Sequence, residues 1–275
     1  MSAITDLHAL RDRLKPSARM PVVFLGHGSP MNAVEDTAYS RAWTALGKSL
    51  PEPAAILVVS AHWMTRGTTL VDVSHLPKTI HDFYGFPDAL YAMDYPAPGN
   101  PALAREVVSL LASHHSAEDD TWGLDHGAWT VLRFLYPQAK VPVFQVSIDM
   151  GRGLAHQLEV GRTLSQLRDR GVLILGSGNV VHNLRAMRFG GQPHDFALEF
   201  DRLFADRLEA RDLNPLADAA GLGTLLRMAH PTVDHYMPAL TIAGASDAKD
   251  QLTFMTDAID LGSVSMRSFV FHQGA

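Results

Sequence analysis

Three short stretches of the chain are apolar at nearly every position. Val22-Val23-Phe24-Leu25, Ile56-Leu57-Val58-Val59-Ser60 and Val172-Leu173-Ile174-Leu175 carry no charge and are rich in β-branched residues. Runs of this kind predict buried strands, here at 21–25, 55–60 and 172–175. Elsewhere the pattern changes to helical spacing. Leu103, Val107, Leu110 and Leu111 form a stripe behind Asn100-Pro101, which reads as an N-cap followed by proline at the first helical position. Leu154, Leu158, Leu164 and Leu167 line a helix over 153–170, with Gly171 as its stop signal. Phe196, Phe200, Leu203, Phe204 and Leu208 line another over 195–211. Helices are also expected over 36–49, with Glu35-Asp36 at the amino end, from the Trp122–Trp129 turn to Tyr136, and over 235–244. Residues 4–15 read as a weakly amphipathic surface helix. Further strands are expected at 141–147 and 264–271, and residues 64–100 read as irregular. Strands alternating with helices predict an α/β fold: a three-layer α/β/α arrangement around a central mixed, mostly parallel sheet. Finding neither repeat nor linker, we expect one domain over 1–275, with 1–18 as an N-terminal extension.

Composition narrows the function. Hydrophobic residues make up 47% and charged residues 19%, enough apolar material for a large core. The net charge of −6 and the lack of a Lys/Arg cluster argue against nucleic acid as a partner. No apolar run approaches a membrane span and the first residues lack a signal-peptide core, so a soluble cytoplasmic protein is expected. The chain has no cysteine, which excludes disulfides, thiolate zinc sites, iron–sulfur clusters and a thiol nucleophile together.

The chain does hold fourteen histidines. Each of the three apolar runs ends in a turn or loop that carries one: His27 in Gly26-His27-Gly28-Ser29-Pro30, His62 in Ser60-Ala61-His62-Trp63, and His182 after Gly176-Ser177-Gly178-Asn179. Ligands of open α/β sheets bind beyond the carboxyl ends of the strands, and imidazole is the commonest metal ligand. Histidines scattered over distant strand ends suit a catalytic metal better than a small structural zinc module, which uses tight spacings. His235 and His126, the latter beside Asp125, join the candidates. His8, His114, His115, His156, His194 and His272 are expected to be exposed, and His230 to shape a turn before Pro231. Gly176-Ser177-Gly178 lacks the Lys-Ser/Thr of a phosphate loop, and Ser29 lacks a nucleophile elbow. Thr79–Pro87 is an aromatic loop of the kind that borders a site.

Gly26-His27-Gly28-Ser29-Pro30-Met31, Ser60-Ala61-His62-Trp63, Thr79-Ile80-His81-Asp82-Phe83, Tyr84-Gly85-Phe86-Pro87, Tyr95-Pro96-Ala97-Pro98-Gly99, Asp125-His126-Gly127 and Ser177–Leu184 occur together and in this order. This series resembles the class III extradiol ring-cleavage dioxygenases, in the 4,5-DOPA dioxygenase branch, from about Arg19 to the C-terminus. The resemblance implies a non-haem metal at the ends of sheet strands. It implies His27 and His62 as metal ligands, with His182 and His235 completing or bordering the metal, His182 being either a ligand or an acid–base group. It implies His126 beside the substrate, and His126 and His182 are the candidates for acid–base catalysis. We expect His81, Phe83, Trp63 and Ser29 to bind substrate. The expected activity is O2-dependent cleavage of a DOPA-like catechol to a muconic semialdehyde, with Fe(II) as the active metal. Zinc would bind the same nitrogens without supporting turnover. A monomer or small homo-oligomer is expected. A metal-dependent hydrolase, or a non-catalytic interaction protein on the same fold, is the alternative.

Overall fold

The computed structural model describes residues 19–273, so the helix expected at 4–15 and His8 lie outside the described residues. The strands are β1 (Val22–Gly26), β2 (Ala55–Ser60), β3 (Met64–Thr65), β4 (Thr69–Asp72), β5 (Ser116–Asp119), β6 (Val143–Gln145), β7 (Ile148–Asp149), β8 (Val172–Gly178), β9 (Asp250–Thr256), β10 (Ile259–Asp260), β11 (Val264–Ser265) and β12 (Ser268–Gln273). The α-helices are α1 (Ala38–Ser49), α2 (Asp88–Tyr91), α3 (Pro101–Leu110), α4 (His126–Leu135), α5 (Gly153–Leu164), α6 (Asp195–Glu209), α7 (Ala219–Ala229) and α8 (Met237–Ala245). The main sheet runs β6-β2-β8-β1-β12-β9. Its first four strands are parallel, and β12 and β9 add an antiparallel edge.

Side chains alternate across a strand, so each apolar run feeds two cores. Val22, Phe24, Leu57, Val59, Val172 and Ile174 face a core closed by α3, α5, α6, α7 and α8. Val23, Leu25, Ile56, Val58, Leu173 and Leu175 face the opposite core, closed by α1 and α4 through Trp43, Leu46, Trp129 and Leu132. Helices thus cover both faces, as the alternation of elements predicts. Helix α8 is buried at all its positions, and its sequence is correspondingly apolar on every side. No helix among the described residues is long and apolar enough to cross a membrane.

Several boundaries differ from expectation for local reasons. Helix α1 starts at Ala38, because Thr37, directly after the acidic pair, and Ser40 form a reciprocal capping box. Asn100 does cap α3, accepting from Leu103 N at 3.1 Å. The helix expected over 153–170 is α-helical to Leu164 and then tightens to a 3₁₀ turn that Gly171 ends at φ 76°. Residues 64–100 hold two short strands and the one-turn α2 rather than being wholly irregular. The strand expected over 264–271 is two pieces, β11 and β12. Strand β9 lies at the sheet edge with a half-exposed, mixed pattern, and α7 is broken by Gly223, so neither shows a clean period.

Candidate metal centre

Three strand ends converge. β1, β2 and β8 are neighbours in register, with Leu25 beside Ser177 and Ser60 beside Ser177. The chain leaves them in step, His27 N donating to Gly178 O and Ala61 N to Ser177 O. His235 arrives from the opposite side, just before α8. Its carbonyl accepts from Asn179 N, and it passes so close to Gly178 that a Cβ there would meet it at 2.2 Å. Only glycine admits this approach.

His27, His62 and His235 each place one ring nitrogen within 4.8 Å of the others'. The Nε2 atoms of His27 and His62 are 3.2 Å apart. The other ring nitrogens are engaged from behind. Ser177 Oγ gives its hydrogen to Gly127 O at 2.5 Å, so toward His27 Nδ1, 3.0 Å away, it acts as acceptor. His235 Nδ1 lies 2.6 Å from Asp234 Oδ2. His62 Nδ1 lies 3.5 Å from Asp82 Oδ2. Protons held at Nδ1 leave Nε2 lone pairs facing one another, which is the tautomer a metal requires.

Electrostatics keep these rings neutral. Burial, then the neighbouring imidazoles, lowers the pKa of His27 and of His235 well below the usual value. Burial and His126 bring His62 to about 3 despite the attraction of Asp82. Burial brings His182 to about 4. A cluster of neutral, buried imidazoles with converging lone pairs fits a divalent cation of the borderline kind, such as iron or zinc.

His126 stands at the first position of α4, its ring centroid 3.8 Å from that of His62 and 5.6 Å from that of His27. Gly127, which follows it, sits so close to Ser60 Oγ and His62 that a Cβ would clash with both. The helix starts there because Asp125 caps it, accepting from Ala128 N. That carboxylate is fully buried and also accepts from Ser60 Oγ, Gln145 Nε2 and Trp122 Nε1. His182 stacks face to face on His235, with centroids 3.5 Å apart, and joins no group of three converging donors among the described residues. Phe83 stands edge-on to His126 at 5.6 Å. His81 lies one layer back, with Nε2 bound to Met93 O and its ring against Phe83 and Trp129. Trp63 is buried and stacks on Trp122 at 5.6 Å. Ser29 is exposed, and its Oγ accepts from Met31 N.

Two histidines expected at the surface are buried: His114, bound to Thr163 Oγ1, and His272, inside β12 and bound to Thr253 Oγ1. His230 is buried as well, its Nε2 on Val180 O. Asp82, Asp234, Ser60 and Ser177 are site residues that the pattern of strand-end histidines does not point to. For the two acids the signal was an adjacent histidine: Asp82 follows His81 and Asp234 precedes His235. The serines occupy the last inward positions of β2 and β8.

The model of the catalytic LigB subunit of aromatic ring-opening dioxygenase matches residues 21–267. The chain is 47% identical over 268 residues to a 4,5-DOPA dioxygenase extradiol of Escherichia coli K12, covering 94% of this chain and 97% of that one. It is 34% identical over 257 residues to a 4,5-DOPA dioxygenase extradiol of Beta vulgaris, covering 90% and 95%. The fold superposes with a TM-score of 0.78 on the crystal structure of an uncharacterized Escherichia coli K12 protein, at 40% identity, over 92% of this chain and all of that one. The chain therefore belongs to the LigB family of aromatic ring-opening dioxygenases and is an extradiol dioxygenase.

Proposed function

We propose that the protein opens the ring of a DOPA-like catechol with O2 to a muconic semialdehyde, using Fe(II) held by His27, His62 and His235. The convergence of His27, His62 and His235 beside a fourth imidazole, His126, that stands outside this set and lies against Asp82 carries this reading. The names of the two relatives give the substrate class. Bound iron would supply the common coordination point and the electron transfer between catechol and dioxygen. The chain's own groups do the rest. Phe83 presents its ring beside His126 and walls one side of the space in which an aromatic diol would lie. His126 accepts a catechol proton and returns it as the ring opens, since it stands outside the His27–His62–His235 set and groups with His62 and Asp82 instead. His182, stacked on His235, serves as a second proton-handling group rather than a fourth ligand. His81 supports Phe83, and Trp63 stiffens the chain after His62. Zinc occupies the same nitrogens and gives an inactive form.

Oxygen uptake by the Fe(II)-loaded protein across a panel of catechols tests the proposal. DOPA and close analogues should consume oxygen with growth of a visible semialdehyde absorbance, and the zinc form should not. His126→Ala should keep its iron and lose about 10²–10⁴-fold in kcat. Absence of uptake with every catechol overturns the substrate class. An iron-replete His126→Ala enzyme with full turnover moves the proton role to His182.

A further inference from the structure

Asp82 comes from the aromatic loop, far in sequence from both histidines it meets. Its Oδ1 accepts from the backbone N–H of His126 at 2.9 Å. Its Oδ2 lies 3.0 Å from His126 Nδ1 and 3.5 Å from His62 Nδ1. One carboxylate therefore grips the main chain and the ring of His126 and reaches the ring of His62 as well. We infer that Asp82 is a positioning residue that fixes the tautomer of His126, holding the proton on Nδ1 so that Nε2 presents its lone pair to the substrate space.

The physical basis is the acceptor-only character of an ionised carboxylate. An imidazole lone pair pointed at Oδ2 from 3.0 Å would be repelled, whereas an N–H is attracted. His126 is buried, and its Nδ1 is closed to solvent and makes no well-aligned hydrogen bond, so the charge of Asp82 Oδ2 at 3.0 Å, with no water to compensate, decides which tautomer is favoured. The main-chain contact adds direction. Because Oδ1 is held by the first N–H of α4, the carboxylate plane is set by the helix end, and Oδ2 is held toward the ring. The loop that carries Asp82 also carries Phe83, so substrate wall and proton-transfer geometry are delivered by one segment.

This inference rests on the reading of His126 as the proton-transfer group, and its test separates the two. Asp82→Asn keeps size and the Oδ1 acceptor but can turn an N–H toward His126 Nδ1. In zinc-loaded, ¹⁵N-histidine-labelled protein, with the His126 signal assigned by its loss in His126→Gln, the wild type should show the proton on Nδ1. Asp82→Asn should shift it to Nε2. At saturating Fe(II), where any weakening of His62 by up to about 10–100-fold in affinity is overcome, Asp82→Asn should be metal-replete, keep its melting temperature, hold KM, and lose about 10²–10⁴-fold in kcat, as expected when a general base is held in the wrong tautomer. Asp82→Glu, which restores the charge, should recover part of that loss. A packing role predicts the opposite order, with the isosteric Asn mild and Glu severe. An unchanged His126 tautomer in Asp82→Asn, or wild-type turnover in that variant, overturns the inference. If no catechol is turned over by the wild type, the proposed substrate fails, while the tautomer measurement still decides the role of Asp82.

Discussion

The two ends of the sheet treat buried polarity in opposite ways. At the amino ends of β1 and β8, Arg168 and Asp250 are both sealed from solvent and meet through two parallel hydrogen bonds. The rest of the guanidinium donates to Met20 O and Ala245 O. That charge is closed on itself, and nothing is left to bind. At the carboxyl ends, four imidazoles crowd together, their outer nitrogens met by Ser177, Asp234 and Asp82 and their inner lone pairs left facing one another. Burial alone does not distinguish structure from function here. The direction of the unsatisfied atoms does: a buried pair that completes itself holds the fold, and a buried set that converges on a point awaits a ligand.

Variants at the two ends should therefore fail differently. His62→Ala should lose its bound metal and with it all turnover, while the metal-free protein still folds. Metal analysis after dialysis, beside oxygen uptake, measures this, and one metal retained per chain would erase the contrast. Arg168→Met should do the reverse. Leaving Asp250 buried without its partner costs about 3–5 kcal/mol. That should appear as a lower urea midpoint, with metal affinity unchanged once folded. A wild-type midpoint would show that water reaches this end.

The same contrast predicts a pH response. His62 and His182 have pKa values near 3 and 4 when folded, and those of His27 and His235 are also lowered. Unfolded, each takes up a proton near pH 6.5. The unfolded chain thus binds more protons below that pH, and stability present above it is lost as pH falls toward the folded values. Each group contributes up to about 1.4 kcal/mol per pH unit inside its window. Urea unfolding of the metal-free protein from pH 7 to pH 5 should show a steep decline, made shallower by His62→Ala. A flat profile would mean that the imidazoles are solvated.

Much of this was legible in the chain. The three apolar runs are central strands because parallel strands buried on both faces need no polar positions, and their histidines appear where such strands end. His27, His62, His126, His182 and His235 were all named as candidates from loop position and motif, and they do lie together. What the residues could not reveal was direction. Nothing in the spacing tells that His182 stacks on His235 while His27 and His62 point inward. The edge strand β9 and the broken α7 were missed because exposure and a glycine blur their periods. Asp82 stood in a quoted motif, yet its contacts span 20 and 44 residues of sequence, which no local pattern encodes.

Ser177 gives the subtlest of the expected effects. The apolar run ends at Leu175, and Gly176-Ser177-Gly178 lacks the Lys-Ser/Thr of a phosphate loop. In the structure β8 runs on to Gly178, and alternation puts Ser177 on the face of Leu173 and Leu175, beneath α4. There its hydroxyl links Gly127 O to His27 Nδ1. Ser177→Ala removes no ligand and leaves a methyl where the hydroxyl was, so α4 should keep its place. It frees His27 to carry its proton on either nitrogen, and half of that choice opposes metal. Groups that orient a ligand from behind contribute about 10–100-fold in metal affinity. Zinc titration against a competing chelator should show a loss of that size, with the urea midpoint lowered far less than in Arg168→Met. Unchanged affinity would mean that burial alone orients His27, and that the open end of the sheet is held by packing as firmly as the closed one.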